Sequence, residues 1–114
     1  MTNRLPNAAY ARVEERKIVE YLLNLTHPDG GSKARFFRAR GFDTALWQNM
    51  RDALITQGQD NQVTKVTETE WGTRYQVDCH CPTPDGTNPC IRSVWEISTE
   101  TLYPRLLTAH PLPL

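Results

Sequence analysis

Several features that would place a protein in a functional class are missing from this sequence. No run approaches the ~18 to 20 apolar residues of a membrane-spanning helix, and residues 1–17 lack the apolar middle of a secretory signal. We therefore expect no membrane partner and a cytoplasmic location. A chain of 114 residues has the length of one domain, so residues 1–114 are predicted to form a single domain.

Motifs for common kinds of catalysis are also missing. There is no phosphate-binding loop of the Walker type, no motif for a serine or cysteine nucleophile and no full set of metal ligands. We therefore expect neither a cofactor nor a metal. Thirteen basic and thirteen acidic residues leave no net charge, which excludes a long-range attraction of the whole molecule to nucleic acid.

Charge is nevertheless uneven along the chain. Residues 33–51 hold five basic residues and one acidic residue, a net charge of +4, whereas residues 61–114 hold four basic and six acidic residues, a net charge of −2. A phosphate or carboxylate partner is therefore expected near residues 33–51. A solvated helix face without a partner is the alternative.

Helical signals fill the first half of the sequence. From about residue 7 to 25 the apolar residues, with Tyr21 among them, follow the spacing of an amphipathic helix. Ser32 is a good N-cap for a second helix over residues 33–40, and Gly41 is a natural residue to end it.

A third helix and a series of strands follow. Asp43 can cap this helix, which is predicted to end at Gly58. Four segments then have strand character, over residues 63–71, 73–81, 91–97 and 103–112. This order predicts an α+β fold, in which three N-terminal helices pack on one face of a four-stranded antiparallel meander sheet.

Three cysteines lie close together in the sequence. A two-residue turn at residues 85–86 would place Cys81 opposite Cys90, where a disulfide could form. A register shifted by one residue instead aligns the apolar sides of the two strands, and burial favours that register. Zinc needs four suitable ligands, and the side chains of Cys79 and Cys81 point away from that of His80 if they lie in a strand. We therefore predict buried free thiols.

The stretch HPDGGSKARFF, residues 27–37, places a lysine in the first turn of the second helix. A cation at the N-terminus of a helix is unfavourable, because it lies at the positive end of the helix dipole. An anion bound by the backbone near Gly31 and Ser32 would explain Lys33, with His27 just upstream. The alternative is that Lys33 extends past the phenylalanines into water.

Cationic or titratable side chains share the polar side of the predicted sheet. Strand alternation places Arg74, His80 and Arg92 on this open side. In the last strand, Thr108 and His110 are expected to face the same way. The strand residues predicted to bind a ligand are Arg74, His80, Arg105 and His110.

Five blocks of the sequence, KIVEYLLN, HPDGGSKARFFRARGF, RYQVD, IRSVWEI and PRLLTAHPL, resemble a family of small uncharacterised bacterial domains. The family pattern is K-I-x-x-Y-L-L-N, H-P-x-G-x-x-K-A-x-F-F, V-x-T-V-W and P-R-L-V-T-A-Y-P. The resemblance runs from about Lys17 to Pro111. The sequence departs from the pattern at Ser93, where threonine is usual, and at His110, where tyrosine is usual, so we assign His110 to binding.

More distantly, three helices, a meander and a final LLTAHP strand are similar to toxin domains of the barnase, EndoU, colicin and RelE ribonuclease group. The resemblance implies metal-independent cleavage of RNA through the ribose 2′-hydroxyl. By position it implies His27 as the base or acid and Thr108 as a hydrogen-bonding residue. Lys33 and Arg92 would hold the phosphate.

Two other functions fit the same sequence. The domain could bind an anion or a protein without catalysis, using the basic second helix, or it could bind a small phosphate-bearing molecule at residues 29–33. The candidate partners are therefore RNA or another phosphate-bearing anion, an antidote or partner protein, and a second copy of the chain paired through exposed sheet edges.

Overall fold

A computed structural model describes residues 3–112 of the chain. Helices occupy the first half and strands the second. The helices are α1 (Glu15–Lys17), continued by a π-helical segment (Ile18–Leu22), α2 (Gly31–Ala39) and α3 (Trp47–Asp60). Short 3-10 turns cover Ala8–Tyr10 and Thr44–Leu46. The strands are β1 (Gln62–Thr69), β2 (Gly72–His80), β3 (Cys90–Ser98) and β4 (Arg105–Pro111).

The four strands form one antiparallel sheet in the order β1-β2-β3-β4, which confirms the α+β prediction and the meander. Tyr75 pairs with Trp95 and Cys79 with Ile91, which is the register predicted from alignment of the apolar sides. No helix within residues 3–112 is long and apolar enough to cross a membrane.

The first helix is much shorter than the predicted segment over residues 7–25. After the 3-10 turn Ala8–Tyr10 the chain is extended, because Arg12 forms a parallel bridge with Arg105 at the edge of β4. The backbone N–H of Leu106 donates to the carbonyl of Arg12 at 2.9 Å. Helical periodicity could not predict this contact, because the two segments are far apart in the sequence.

The second helix begins earlier than predicted, and its N-cap is Gly30 rather than Ser32. The N–H of Gly31 already donates to the carbonyl of His27, so helical bonding starts within the glycine pair. At the other end Gly41 has a φ of 102°, and the N–H of Phe42 reaches back to the carbonyl of Phe37. This arrangement confirms Gly41 as the residue that ends α2.

Helix α3 packs against β2 and β3 through a buried polar network. Gln57 is fully buried, and its side-chain amide donates to the carbonyl of Val77 at 2.9 Å. Ser93 donates to the amide oxygen of Gln57 and accepts the indole N–H of Trp95 at 2.7 Å. The buried polar groups are thus satisfied, and they fix the position of the helix on the sheet.

Gly58 does not end the third helix, which continues to Asp60. A Cβ atom at Gly58 would lie 2.8 Å from Cζ2 of Trp95, so the glycine allows the helix to approach the indole ring closely. Asp43 accepts from the N–H of Ala45 and caps the 3-10 turn that leads into α3.

The prediction that all three cysteines are free thiols is wrong for two of them. Cys79 and Cys90 form a disulfide with a Cα–Cα distance of 4.2 Å. They are not directly opposite, because Cys79 pairs with Ile91 and Cys90 with His80. We had considered only the directly opposed pair Cys81 and Cys90. Cys81 is a buried free thiol, and burial raises its pKa to about 12.

Candidate functional site

Residues of the HPDGGSK stretch surround the ring of Tyr21, which lies in the π-helical segment. The imidazole of His27 meets the ring edge to face at a centroid distance of 4.9 Å. Nζ of Lys33 lies 5.0 Å from the ring centroid. A Cβ atom at Gly30 would lie 2.9 Å from Cδ1 of the ring, so only a glycine allows this close contact. The stretch therefore packs against the phenol ring of Tyr21.

The hydroxyl group of Tyr21 joins three separate parts of the fold. Lys33 of α2 donates to the phenol oxygen at 2.6 Å, and Oγ1 of Thr108 in β4 lies 3.0 Å from it. Nζ of Lys17 in α1 lies 5.6 Å from the ring centroid. Two ammonium groups and one hydroxyl thus converge on a single phenol, which is half-buried.

The surroundings of Tyr21 stabilise its ionised form. Burial of the ring raises its pKa, but the hydrogen bonds from Lys33 and Thr108 and the positive charges of Lys33 and Lys17 outweigh burial. The net result is a pKa below the ordinary value for tyrosine. The direction of this shift favours the phenolate, which is the form of Tyr21 that can accept a proton.

His27 is held by its own loop. Its Nδ1 accepts the backbone N–H groups of Asp29 and Gly30, both at 3.0 Å. A nitrogen that accepts two N–H donors carries no proton, so the neutral imidazole has its proton on Nε2. His27 can therefore donate a hydrogen bond through Nε2, while Nδ1 stabilises the turn.

A cavity of about 470 Å³ opens beside Tyr21 and His27, between the first helical segment and β4. Its volume is in the usual range for small-molecule sites. Three of its side chains are cationic and two are carboxylates. The lining residues are Glu14, Arg16, Lys17, Glu20, Tyr21, His27, Arg105, Leu106 and Leu107.

Lys33 and Gly31, two of the residues predicted to bind an anion at the start of α2, make contacts within the protein instead. Lys33 turns its ammonium group to Tyr21. Gly31 is buried and packs against the chain at Leu25, where an added Cβ would lie 3.0 Å from the carbonyl oxygen. Ser32 is exposed and does not cap the helix. The glycine pair therefore serves close packing.

Arg92 in β3 has a carboxylate partner within the sheet. Its guanidinium donates two hydrogen bonds, both of 3.0 Å, to the carboxylate of Asp78. Arg92 pairs with His110, and Val94 pairs with Thr108, so strand pairing places Thr108, His110 and Arg92 on the same side of the sheet. Thr108 thus shares a side of the sheet with Arg92 and is also hydrogen-bonded to the Tyr21 hydroxyl.

The hydrogen bond from Arg92 is the main cause that lowers the pKa of Asp78, and it outweighs the effect of burial. The charge of Arg92, a hydrogen bond from Thr64 and the charge of His110 lower this pKa further. The same bond raises the pKa of Arg92. The pair is thus charged on both sides and mutually satisfied.

The other predicted binding residues divide between the cavity and the sheet. Arg105 lines the cavity and also approaches Glu96 at 3.5 Å. Arg74 donates to the same carboxylate at 3.1 Å, and Glu96 is 7% exposed. Nδ1 of His80 lies 2.9 Å from the carbonyl of Asn88, in the loop after β2.

Sequence reasoning missed Tyr21 and Lys17 as site residues. Tyr21 had been counted in the apolar set of the first helix, although it is the only residue of the block KIVEYLLN that combines a large ring with an ionisable hydroxyl. Lys17 and Tyr21 are four residues apart, a spacing that places two side chains on one face of a helix. That spacing was the available signal.

Comparisons with known proteins show one family match and one solved structure with a similar fold. The profile of a family described as Domain of unknown function (DUF6883) matches residues 4–113. No curated protein matches the sequence significantly. One chain of a solved contact-dependent growth inhibition toxin–immunity protein complex from Klebsiella pneumoniae 342 has a similar fold, with a TM-score of 0.64 and 17% sequence identity. The match covers 95% of this chain and 98% of that one.

Proposed function

The chain belongs to the DUF6883 family, and we propose that it is a ribonuclease-like effector domain that cleaves RNA without a metal ion. The observation that carries the proposal is the Tyr21 hydroxyl, which Lys33 and Thr108 hold at 2.6 and 3.0 Å beside the 470 Å³ cavity. Such a phenol can transfer a proton, and the lysines can stabilise charge on a phosphate.

Cleavage of RNA needs only a base and cations from the protein, because the ribose 2′-hydroxyl of the substrate is itself the nucleophile. The 2′-oxygen of a ribose attacks the neighbouring phosphorus, the bond from phosphorus to the 5′-oxygen breaks, and the products are a 2′,3′-cyclic phosphate and a 5′-hydroxyl. A base removes the proton of the 2′-hydroxyl. Cations stabilise the charge that builds up on the crowded phosphorus centre.

The cavity offers separate positions for these tasks. Lys17 and Arg105 line it and can approach a phosphate, while the ammonium group of Lys33 acts on the Tyr21 hydroxyl. His27 donates from Nε2 to a phosphate oxygen, since its Nδ1 is occupied by the loop. Arg92 is assigned to the flanking nucleotide, on the side of the sheet that Thr108 shares.

A partner protein is part of the proposal. The structure with a similar fold comes from a complex of a toxin with an immunity protein, which supports an antidote as the partner class here. We further propose that the three helices cover one face of the sheet, so that the side with Arg92 and His110 stays free for a partner. Homodimer formation and a cytoplasmic location stay predictions.

The proposal is tested by incubating purified protein with single-stranded RNA in the presence of a chelator. We expect fragments that end in a 2′,3′-cyclic phosphate, which mass spectrometry identifies. An oligonucleotide of the same sequence in 2′-deoxy form is the matched control and should stay intact. Intact RNA after incubation with stoichiometric protein would overturn the proposal.

A binding module without turnover is the second candidate. One observation favours it, because Asp78 already pairs with Arg92 and makes this guanidinium less available to a reacting phosphate. In that case phosphate should raise the melting temperature by mass action, and Lys33→Ala should remove the effect. RNA should then bind without being cleaved.

A further inference from the structure

We propose that Tyr21 is the general base of this site and that the HPDGGSK stretch exists to position it. The inference rests on the proposed cleavage of RNA and deepens it by naming the proton-transfer residue. It replaces His27 in the role that the family resemblance implied.

His27 is poorly placed to accept a proton. The two backbone N–H groups that point at Nδ1 would repel a proton on that nitrogen, and they come from Asp29 and Gly30 of the turn itself. Nε2 of the neutral ring already carries a proton, so it has no free lone pair in the ring plane. In this tautomer neither ring nitrogen of His27 offers a free lone pair to a substrate hydroxyl.

Tyr21 has the opposite environment. The ammonium of Lys33 lies 2.6 Å from the phenol oxygen, and Lys33 forms no ion pair with a carboxylate among residues 3–112. The positive charge is therefore directed at the phenol, where it stabilises a phenolate. Thr108 can accept from the phenol and, after a bond rotation, donate to the phenolate, so its hydroxyl serves both states.

The ring is also held in place, which proton transfer requires. Gly30 contacts the Tyr21 ring on one side. The imidazole of His27 lies 4.9 Å from the ring, centroid to centroid, in an edge-to-face arrangement, and Nζ of Lys17 lies 5.6 Å from the ring centroid. The Tyr21 side chain lines the cavity, where the proposal places the ribose. A base held by packing needs little reorganisation before it reacts.

The Tyr21 phenolate takes the proton of the ribose 2′-hydroxyl, and the electron pair released on the 2′-oxygen forms the new bond to phosphorus. The bond from phosphorus to the 5′-oxygen breaks, and that oxygen takes a proton from water. The resulting phenol returns its proton to solvent before the next turnover.

The experiment compares Tyr21→Phe with Tyr10→Phe, whose tyrosine is 71% exposed and lies outside the cavity. We expect Tyr21→Phe to lower kcat/KM for RNA by at least ~100-fold, the scale of a lost general base. Tyr10→Phe should leave it unchanged. Binding of the uncleavable 2′-deoxy oligonucleotide should be equal in all three proteins.

A pH series separates proton transfer from a structural role. The pKa of Tyr21 lies below its ordinary value, so the cleavage rate should rise with pH and level off below the usual tyrosine range. Thr108→Val and Lys33→Met each remove a group that lowers this pKa and should move the midpoint to higher pH. The ultraviolet difference spectrum between wild type and Tyr21→Phe measures the same ionisation without activity.

The outcomes distinguish the two proposals. If wild-type protein cleaves RNA and Tyr21→Phe cleaves it equally well, Tyr21 is not the base and the ribonuclease proposal stands. An unchanged pH midpoint in folded Thr108→Val and Lys33→Met also rejects Tyr21 as the base, even if Tyr21→Phe fails to fold. If wild-type protein cleaves no RNA under any condition, the proposed function fails and the assignment of Tyr21 fails with it.

Discussion

The cations around Tyr21 and the cations on the side of the sheet that carries Arg92 have different partners. On the sheet, Arg92 is bonded to Asp78 and Arg74 to Glu96, so each guanidinium has a carboxylate at about 3 Å. Around Tyr21, Lys33 has a phenol as its partner instead. A cation paired with a carboxylate contributes to structure, whereas a cation beside a neutral acid changes how easily that acid ionises.

The largest effect that this comparison predicts is on catalysis. Lys33→Met should lower kcat/KM for RNA by ~100- to 1000-fold, because it removes the charge that stabilises the Tyr21 phenolate. Arg92→Met should lower it by less than ~10-fold, because Asp78 already neutralises this guanidinium. Cleavage rates of an RNA oligonucleotide measure both. Equal losses in the two variants would remove the distinction between the regions.

Removal of the disulfide tests whether RNA cleavage depends on the stability of the hairpin formed by β2 and β3. Replacing Cys79 and Cys90 by serine should lower the free energy of unfolding by about 3 kcal/mol, because the bridge closes a short loop with a sequence separation of 11. The denaturant midpoint measures this loss. RNA cleavage at a temperature where both proteins are folded should not change.

Cys81 serves as the internal control for that experiment. Burial raises its pKa to about 12, so almost no thiolate forms at mildly alkaline pH. We expect no alkylation of the native oxidised protein and modification of one cysteine after denaturation, both seen by mass spectrometry. Rapid alkylation of the native protein would contradict the packing of this hairpin against α3.

Sequence patterns predicted the sheet better than the site. Strand alternation was sufficient for the register, because burial of Val77 and Trp95 on one side permits only one pairing. The same patterns predicted a single long first helix, since they contain no information about the contact between Arg12 and Arg105. Local periodicity reports which side of an element is buried, and it does not report which elements meet.

The candidate site was predicted in part for the same reason. Lys33 and His27 both contact the ring of Tyr21, and the short turn between them keeps them close together. Tyr21 was not recognised, because an aromatic ring at a helical spacing is usually a core residue. Its hydroxyl gains its partner Thr108 from a strand 87 residues away, which no local pattern could predict.

Gly30→Ala changes the position of the Tyr21 ring without changing any charged group. The new methyl group would lie 2.7 Å from the Tyr21 carbonyl oxygen and 2.9 Å from its ring, so the turn or the ring must move. We expect a loss of about 1–3 kcal/mol in unfolding free energy, as for other overpacked positions. Cleavage should fall with it.

Gly86→Ala is the matched control for that substitution. Gly86 has a φ of 78°, so alanine there is strained, but an added Cβ would meet no atom within 4 Å. A loss of stability of about 1 kcal/mol with unchanged cleavage is expected, and urea denaturation and the RNA assay measure the two quantities. If Gly86→Ala reduced cleavage as much as Gly30→Ala, global destabilisation would explain both.

The smallest predicted effect is on the sheet, where Asp78→Asn removes one member of a charged pair. The folded-state pKa of Asp78 is lowered, chiefly by the hydrogen bond from Arg92. This carboxylate therefore stabilises the fold fully above its unfolded-state pKa, and the stabilisation is lost as the pH falls through the folded-state pKa.

Because Arg92 and Asp78 are partly exposed, the pair is expected to contribute less than about 1 kcal/mol at neutral pH. Urea denaturation of wild type and Asp78→Asn across an acid pH series measures the contribution. The difference between the two curves should be largest near neutral pH and should shrink in acid, where wild type also carries a protonated side chain. A difference that stayed constant with pH would mean that the asparagine disturbs packing, and that the cations of the sheet are not held by charge pairing.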